Sequence, residues 1–95
     1  MKLDLSPRAR RRLREIQTHL AFVSNLNTAL RVVTRIRQST EILTDFPELG
    51  PRWQDGKTRA LLVSGLPYRI HYQLKADTVQ VITVVHTSQK PPRLG

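Results

Sequence analysis

The chain has 95 residues, enough for one domain, residues 1–95, with one core built from two packed layers. It has no cysteine, which excludes disulfides, thiolate nucleophiles and cysteine-based zinc sites, and no apolar run approaches the ~18 residues of a membrane span. Sixteen Lys and Arg against seven Asp and Glu give a net charge of +9, and twelve of the sixteen are Arg, the residue suited to bidentate contacts with carboxylate or phosphate. Such a balance fits a nucleic acid or ribonucleoprotein partner, an acidic protein segment, or solubility alone. The start, Met1 to Leu5, lacks the long apolar core of a signal peptide, so a cytoplasmic protein is expected. His19, His71 and His86 match no metal motif by spacing, and neither metal nor cofactor is expected.

Lys2 to Leu5 alternates polar and apolar residues and predicts a short strand. Ser6 can cap a helix that opens on Pro7, and Ala9, Leu13, Ile16, Leu20 and Val23 form its apolar stripe, to about Phe22. Asn25 or Asn27 can cap a second helix, whose stripe reads Leu26, Leu30, Val33, Ile36, Thr40 and Leu43, with Arg31 and Arg35 toward solvent. Phe46-Pro47 ends it, because a residue before proline is pushed out of the helical region. The loop from Pro47 to Gly56 places Trp53 over an edge of the core.

Three strands follow: Thr58 to Val63, Tyr68 to Leu74, and the β-branched run Thr78 to His86. Turns fall at Ser64–Pro67 and Ala76-Asp77. In the middle strand Tyr68, Ile70, Tyr72 and Leu74 share one face, and Arg69, His71 and Gln73 the other. Pro91-Pro92 stops regular structure, and the tail to Gly95 is expected to be loose. The order β-α-α-β-β-β makes an α+β fold, an N-terminal strand and a two-helix hairpin packed on a small, mostly antiparallel twisted sheet.

Three groups of residues could carry function. Arg8, Arg10, Arg11, Arg12 and Arg14 crowd the opening turns of the first helix, where cations oppose the macrodipole. The run reads either as a solvated face or as a surface for an acidic partner. Arg69 could hold a phosphate or make a structural ion pair, and His71 beside it reads as a surface residue. His86, at a strand end, could reach a cleft or cap the sheet. No Gly-rich phosphate loop, esterase elbow or carboxylate pair is present in the sequence.

Leu5-Ser6-Pro7-Arg8-Ala9, Glu41-Ile42-Leu43, the P-x-x-G loop in Phe46-Pro47-Glu48-Leu49-Gly50, the YRI-x-Y strand at Tyr68 to Tyr72, and the V-x-x-V-x-H strand at Val81 to His86 occur together, in this order. In these motifs the chain resembles the RelE/ParE superfamily of toxins, and within it the ParE-like branch. The resemblance implies the toxin of a type II toxin–antitoxin pair, neutralised by a cognate, ParD-like antitoxin with an acidic C-terminal segment. RelE-like members cleave mRNA on the ribosome with a basic set and a late Tyr or similar group. Here Arg69 matches the strand Arg, but Ala60, Leu61 and Leu62 stand where those enzymes carry lysines. Thr87-Ser88 stands where they carry Lys-Arg, and no Tyr follows. The resemblance therefore points to a ParE-like inhibitor of DNA gyrase rather than an enzyme, with no catalytic residues. The alternative is an mRNA endonuclease using Arg69 and His86, and a third reading is a non-toxic basic binding module. The residues expected to meet partners are Arg8, Arg10, Arg11, Arg14, Arg31, Arg35, Trp53, Lys90 and Arg93. Nucleic acid is expected to be met only through the target complex, and no membrane is involved.

Overall fold

Ser6 sets the first corner of the fold. In the computed structural model, which describes residues 1–94, strand β1 (Lys2–Leu5) ends at Ser6 and helix α1 (Pro7–Val23) begins. Ser6 is extended, and its Oγ accepts the Ala9 N–H at 3.0 Å, satisfying one orphan donor of the first turn. The same hydroxyl donates to the Ile82 carbonyl at 2.7 Å, and the Ser6 N–H donates to the Val81 carbonyl at 3.0 Å. One residue thus caps the helix and ties it to the last strand. Ser6→Ala should cost about 1–2 kcal/mol, the worth of an N-cap plus a half-buried hydrogen bond, read as a lower denaturation midpoint in urea at unchanged slope.

Helix α2 (Leu26–Asp45) is capped by Asn25, whose Oδ1 accepts the Thr28 N–H at 2.8 Å. Its inner face is Ala29, Val32, Val33, Ile36, Thr40 and Leu43, which pack with Ala9, Leu13 and Ile16 of α1. The expected stripe is corrected at the hairpin tip, where Val23, Leu26 and Leu30 are exposed. Leu26 and Leu30 lie to one side of the buried arc, and Val32 takes the inner position instead. No helix among the described residues is long and apolar enough to cross a membrane.

Strands β2 (Arg59–Leu62), β3 (Tyr68–Lys75) and β4 (Thr78–His86) complete a four-stranded sheet of order β1-β4-β3-β2. β1 runs parallel to β4, and the other two pairings are antiparallel. The α+β order β-α-α-β-β-β is as expected, and β2 is one residue shorter than its sequence pattern at each end. Across β3 and β4, Ile70 faces Val84, Tyr72 faces Val81 and Leu74 faces Val79, on the side covered by the helices. A β-bulge interrupts this register. His71 pairs with Thr83 but Tyr72 pairs with Val81, so Ile82 is the extra residue. The bulge lets Val79, Val81, Val84 and His86 share a face despite their mixed parity.

Candidate functional site

The start of α1 lies beside the half of β4 that β1 does not reach. Arg8, Arg11, Arg12 and Lys90 line a cleft of about 350 Å3 there, floored by Thr83 and Val85 and rimmed by Glu15. The first turn of α1 holds no acidic residue. The sole ion pair among the described residues is Lys2–Asp77 at 3.7 Å, at the β3–β4 turn and so at the end of β4 opposite the cleft, and Glu15 pairs with none of these cations. Uncompensated cations at a helix N-terminus each cost a few tenths of a kcal/mol, a placement that suits an anionic partner. Arg10 and Arg14 are exposed on the same helix, and Arg31 and Arg35 on α2. These four do not line the cleft, and Arg35 donates to the Ser64 carbonyl.

Arg12 lines the cleft too, although it is not among the residues that the sequence leads one to expect at a partner. It follows Arg8 by four residues and so shares its helix face, which is the signal that could have found it. Lys90 joins through the tail, which folds back on α1 rather than hanging loose, whereas Arg93 meets α1 by its carbonyl alone and does not line the cleft. Arg12 Nη2 donates to Gln89 Oε1 at 3.2 Å and Arg8 Nη1 donates to the Arg93 carbonyl at 2.6 Å. Leu94 is half-buried, and Gly95 lies outside the described residues.

The face of the sheet away from the helices carries Arg69 and His71. His71 is wholly buried, which corrects the expectation of a surface residue. Trp53 stands edge-on to its ring, with centroids 4.8 Å apart, and the Arg69 guanidinium lies 5.4 Å from the centre of the Trp53 ring. Of the two readings left open for Arg69, the ion pair is not formed, and the guanidinium makes a cation–π contact instead. The loop carrying Trp53 is closed by Asp55, which accepts the N–H groups of Lys57 and Thr58, each at 2.9 Å, and the Thr58 hydroxyl. Those backbone donors hold the Asp55 carboxyl below its ordinary value. Burial, with the charges of Arg69 and Arg8, brings the His71 pKa down to about 4. The imidazole is therefore neutral at pH 7.

His86 is on the other side. It pairs with Tyr68 across the strands and stands edge-on to the Tyr68 ring at 5.3 Å, on the helix-covered face. Its Nδ1 accepts the Ser88 N–H at 3.1 Å, which leaves the proton on Nε2 when the ring is neutral. Arg69 pairs instead with Val85 and faces away from the helices. The sheet separates Arg69 from His86, so the two do not converge on one atom. Among the described residues no three His, Cys, Asp or Glu side chains are grouped to hold a metal ion.

Three comparisons bear on this arrangement. The sequence profile of the ParE toxin of type II toxin–antitoxin systems, parDE, matches residues 3–91. The protein named "Putative toxin Y4kP" of Sinorhizobium fredii is 34% identical over 87 residues, covering 92% of this chain and 88% of its own length. A solved structure described as the chromosomal ParDE TA system from P. aeruginosa superposes with a TM-score of 0.83 at 19% identity, over 90% of this chain and 95% of that one, and so shares the fold. With its strand–hairpin–sheet order, its arginine-lined cleft and a profile match over nearly its whole length, the chain belongs to the ParE toxin family of type II toxin–antitoxin systems.

Proposed function

We propose that this toxin acts in the cytoplasm as an inhibitor of DNA gyrase, stabilising the cleaved-DNA complex, and that an acidic antitoxin segment neutralises it at the start of α1. An antitoxin partner follows from membership of the family. The gyrase reading is supported by one observation above the others: Arg69 and His86, the pair an RNA-cleavage reading needs, lie on opposite faces of the sheet. General acid–base cleavage needs the phosphate-holding and proton-moving groups within reach of the same scissile bond. An inhibitor that holds a protein–DNA complex needs no such convergence.

The test is supercoiling of relaxed plasmid by gyrase with the toxin added, scored for linear DNA after protein digestion. Accumulation of linear DNA is the expected result. Intact supercoiling together with cleavage of mRNA on translating ribosomes would transfer the assignment to the ribosome. For the antitoxin surface, replacing the cleft residues Arg8, Arg11 and Arg12 by Gln should weaken antitoxin binding at least ~10-fold and flatten its salt dependence, as loss of charge steering and charge-assisted contacts requires. Unchanged affinity at low salt would remove α1 from that interface.

A further inference from the structure

His71 is the one buried side chain among the described residues whose polar atoms lack partners: neither ring nitrogen has a hydrogen bond. A buried polar group left unpaired is costly and rare. After β4 the chain turns at the strand end through Ser88 and Gln89, beside His86, and the stretch from Pro91 to Leu94 then returns toward the face on which His71 lies. The Thr87 N–H donates to the Pro67 carbonyl at 2.9 Å, Arg12 holds Gln89, and Arg8 holds the Arg93 carbonyl. Farther along, Pro91, Pro92 and Leu94 share the wall of a cleft with Trp53 and with Gln73, two residues from His71 on its own face of β3. This segment belongs to no helix or strand, and a few polar contacts and two prolines hold it. Segments so attached open at a fraction of the global unfolding free energy.

We propose that residues 87–94 form a reversible strap over the open face of the sheet, closed while His71 is uncharged and released when His71 takes up a proton. The groups around the imidazole act in one direction. Arg69 on its own strand and Arg8 from α1 oppose an imidazolium, Asp55 from the Trp53 loop favours one more weakly, and β4 contributes the uncharged Thr83. The strap contributes Arg93, whose carbonyl is on Arg8. Closed, the strap leaves a protonated ring without water and without a hydrogen-bond acceptor. Open, the ring meets water and recovers its ordinary value near 6.5. With the closed value near 4, the open-to-closed ratio rises about tenfold per pH unit and about 300-fold across the window. The device goes beyond the toxin–antitoxin reading and does not rest on it.

The experiment uses the full chain and two variants. Gln89→Ala combined with Leu94→Ser weakens the strap without changing charge, so any effect on His71 comes through access to water. In an NMR titration of the three histidines, the His71 midpoint should lie well below 6.5 in the natural chain and move up toward 6.5 in this variant. Trp53, the sole tryptophan, should shift its emission to the red with the same midpoint. Hydrogen-exchange protection at the Thr87 and Gln89 amides should fall below pH 6 ahead of the core, and His71→Phe should abolish that fall. An ordinary His71 midpoint in the natural chain would overturn the strap, and so would tail protection that follows pH equally with Phe at position 71.

Discussion

Gly50→Ala should cost about 3 kcal/mol of folding stability, the largest effect expected of any single methyl group in this chain. Gly50 is buried, and a Cβ on it would sit 2.8 Å from both Cε1 and the hydroxyl of Tyr72 and 3.1 Å from the Ala60 carbonyl carbon. None of these can yield easily. Tyr72 is wholly buried in the core, and Ala60 is backbone of β2, paired with His71. The crowding also strikes the bonds that anchor the loop. The Tyr72 hydroxyl accepts the Gly50 N–H at 2.9 Å and donates to the Pro47 carbonyl at 2.8 Å. Overpacking a filled core costs about 1–3 kcal/mol, and stranding a buried backbone donor adds about 1–3 more. Tyr72→Phe keeps the ring and loses only the two bonds, so it should cost about 1–2 kcal/mol. The two changes share one contact and should not add, the double variant being more stable than the sum of the single losses implies. Chemical denaturation of the four proteins reads this directly. A loss below about 1 kcal/mol for Gly50→Ala would mean that the loop from Pro47 to Gly50 shifts as a unit and that Tyr72 does not pin it.

The loop that Tyr72 pins was legible in the sequence as a loop, but its anchor was not. Local signals served wherever structure is decided locally. The Ser6 and Asn25 caps, the helical spacing of Leu13 and Ile16 and the alternation about Ile70 and Tyr72 each act within a few residues, and the elements follow them. What failed was decided by distant chain. His71 alternates like an exposed residue, and it is buried by the Trp53 loop and the groups that gather over that face. Leu26 and Leu30 fit a helical stripe, yet the tip they occupy has little packed beneath it. The face of His86 turns on the bulge. Counting by twos from Val79 and Val81 puts His86 beside Arg69, and the extra residue Ile82 moves it across the sheet. Nothing in the run of β-branched residues announces that insertion. Of the site, Arg8 and Arg11 could be placed together by helical spacing, whereas Lys90 joins them only through the return of the tail.

Acid should weaken the fold through the same buried imidazole. Lowering the pH from 7 to 4 should remove about 3 kcal/mol of stability, and His71→Phe should abolish most of that loss. The sign follows from proton counts. In the unfolded chain His71 titrates near 6.5, and in the folded chain burial and the two arginines bring it down to about 4. Between these values the unfolded state binds the extra proton, so stability falls as pH falls, by about 1.4 kcal/mol per unit. Above 6.5 both states are neutral and below 4 both are charged, so the contribution is flat outside the window. Other perturbed groups act elsewhere. Asp55 is held below its ordinary 3.8 by its backbone donors and matters only in stronger acid, while Tyr68 and Tyr72 are raised by burial and matter only in alkali. Local release of the strap relieves the ring before global unfolding does, which flattens the acid end of the fall and leaves its onset at 6.5 unchanged. At pH 7 the phenylalanine variant gives up no hydrogen bond, since His71 makes none, and keeps an aromatic ring against Trp53, so it should be at least as stable as the natural chain. Denaturant unfolding of both proteins at half-unit steps from pH 7.5 to 4 would separate the curves. Equal acid sensitivity in the two would assign the loss to the carboxylates and leave the buried imidazole without a part in it.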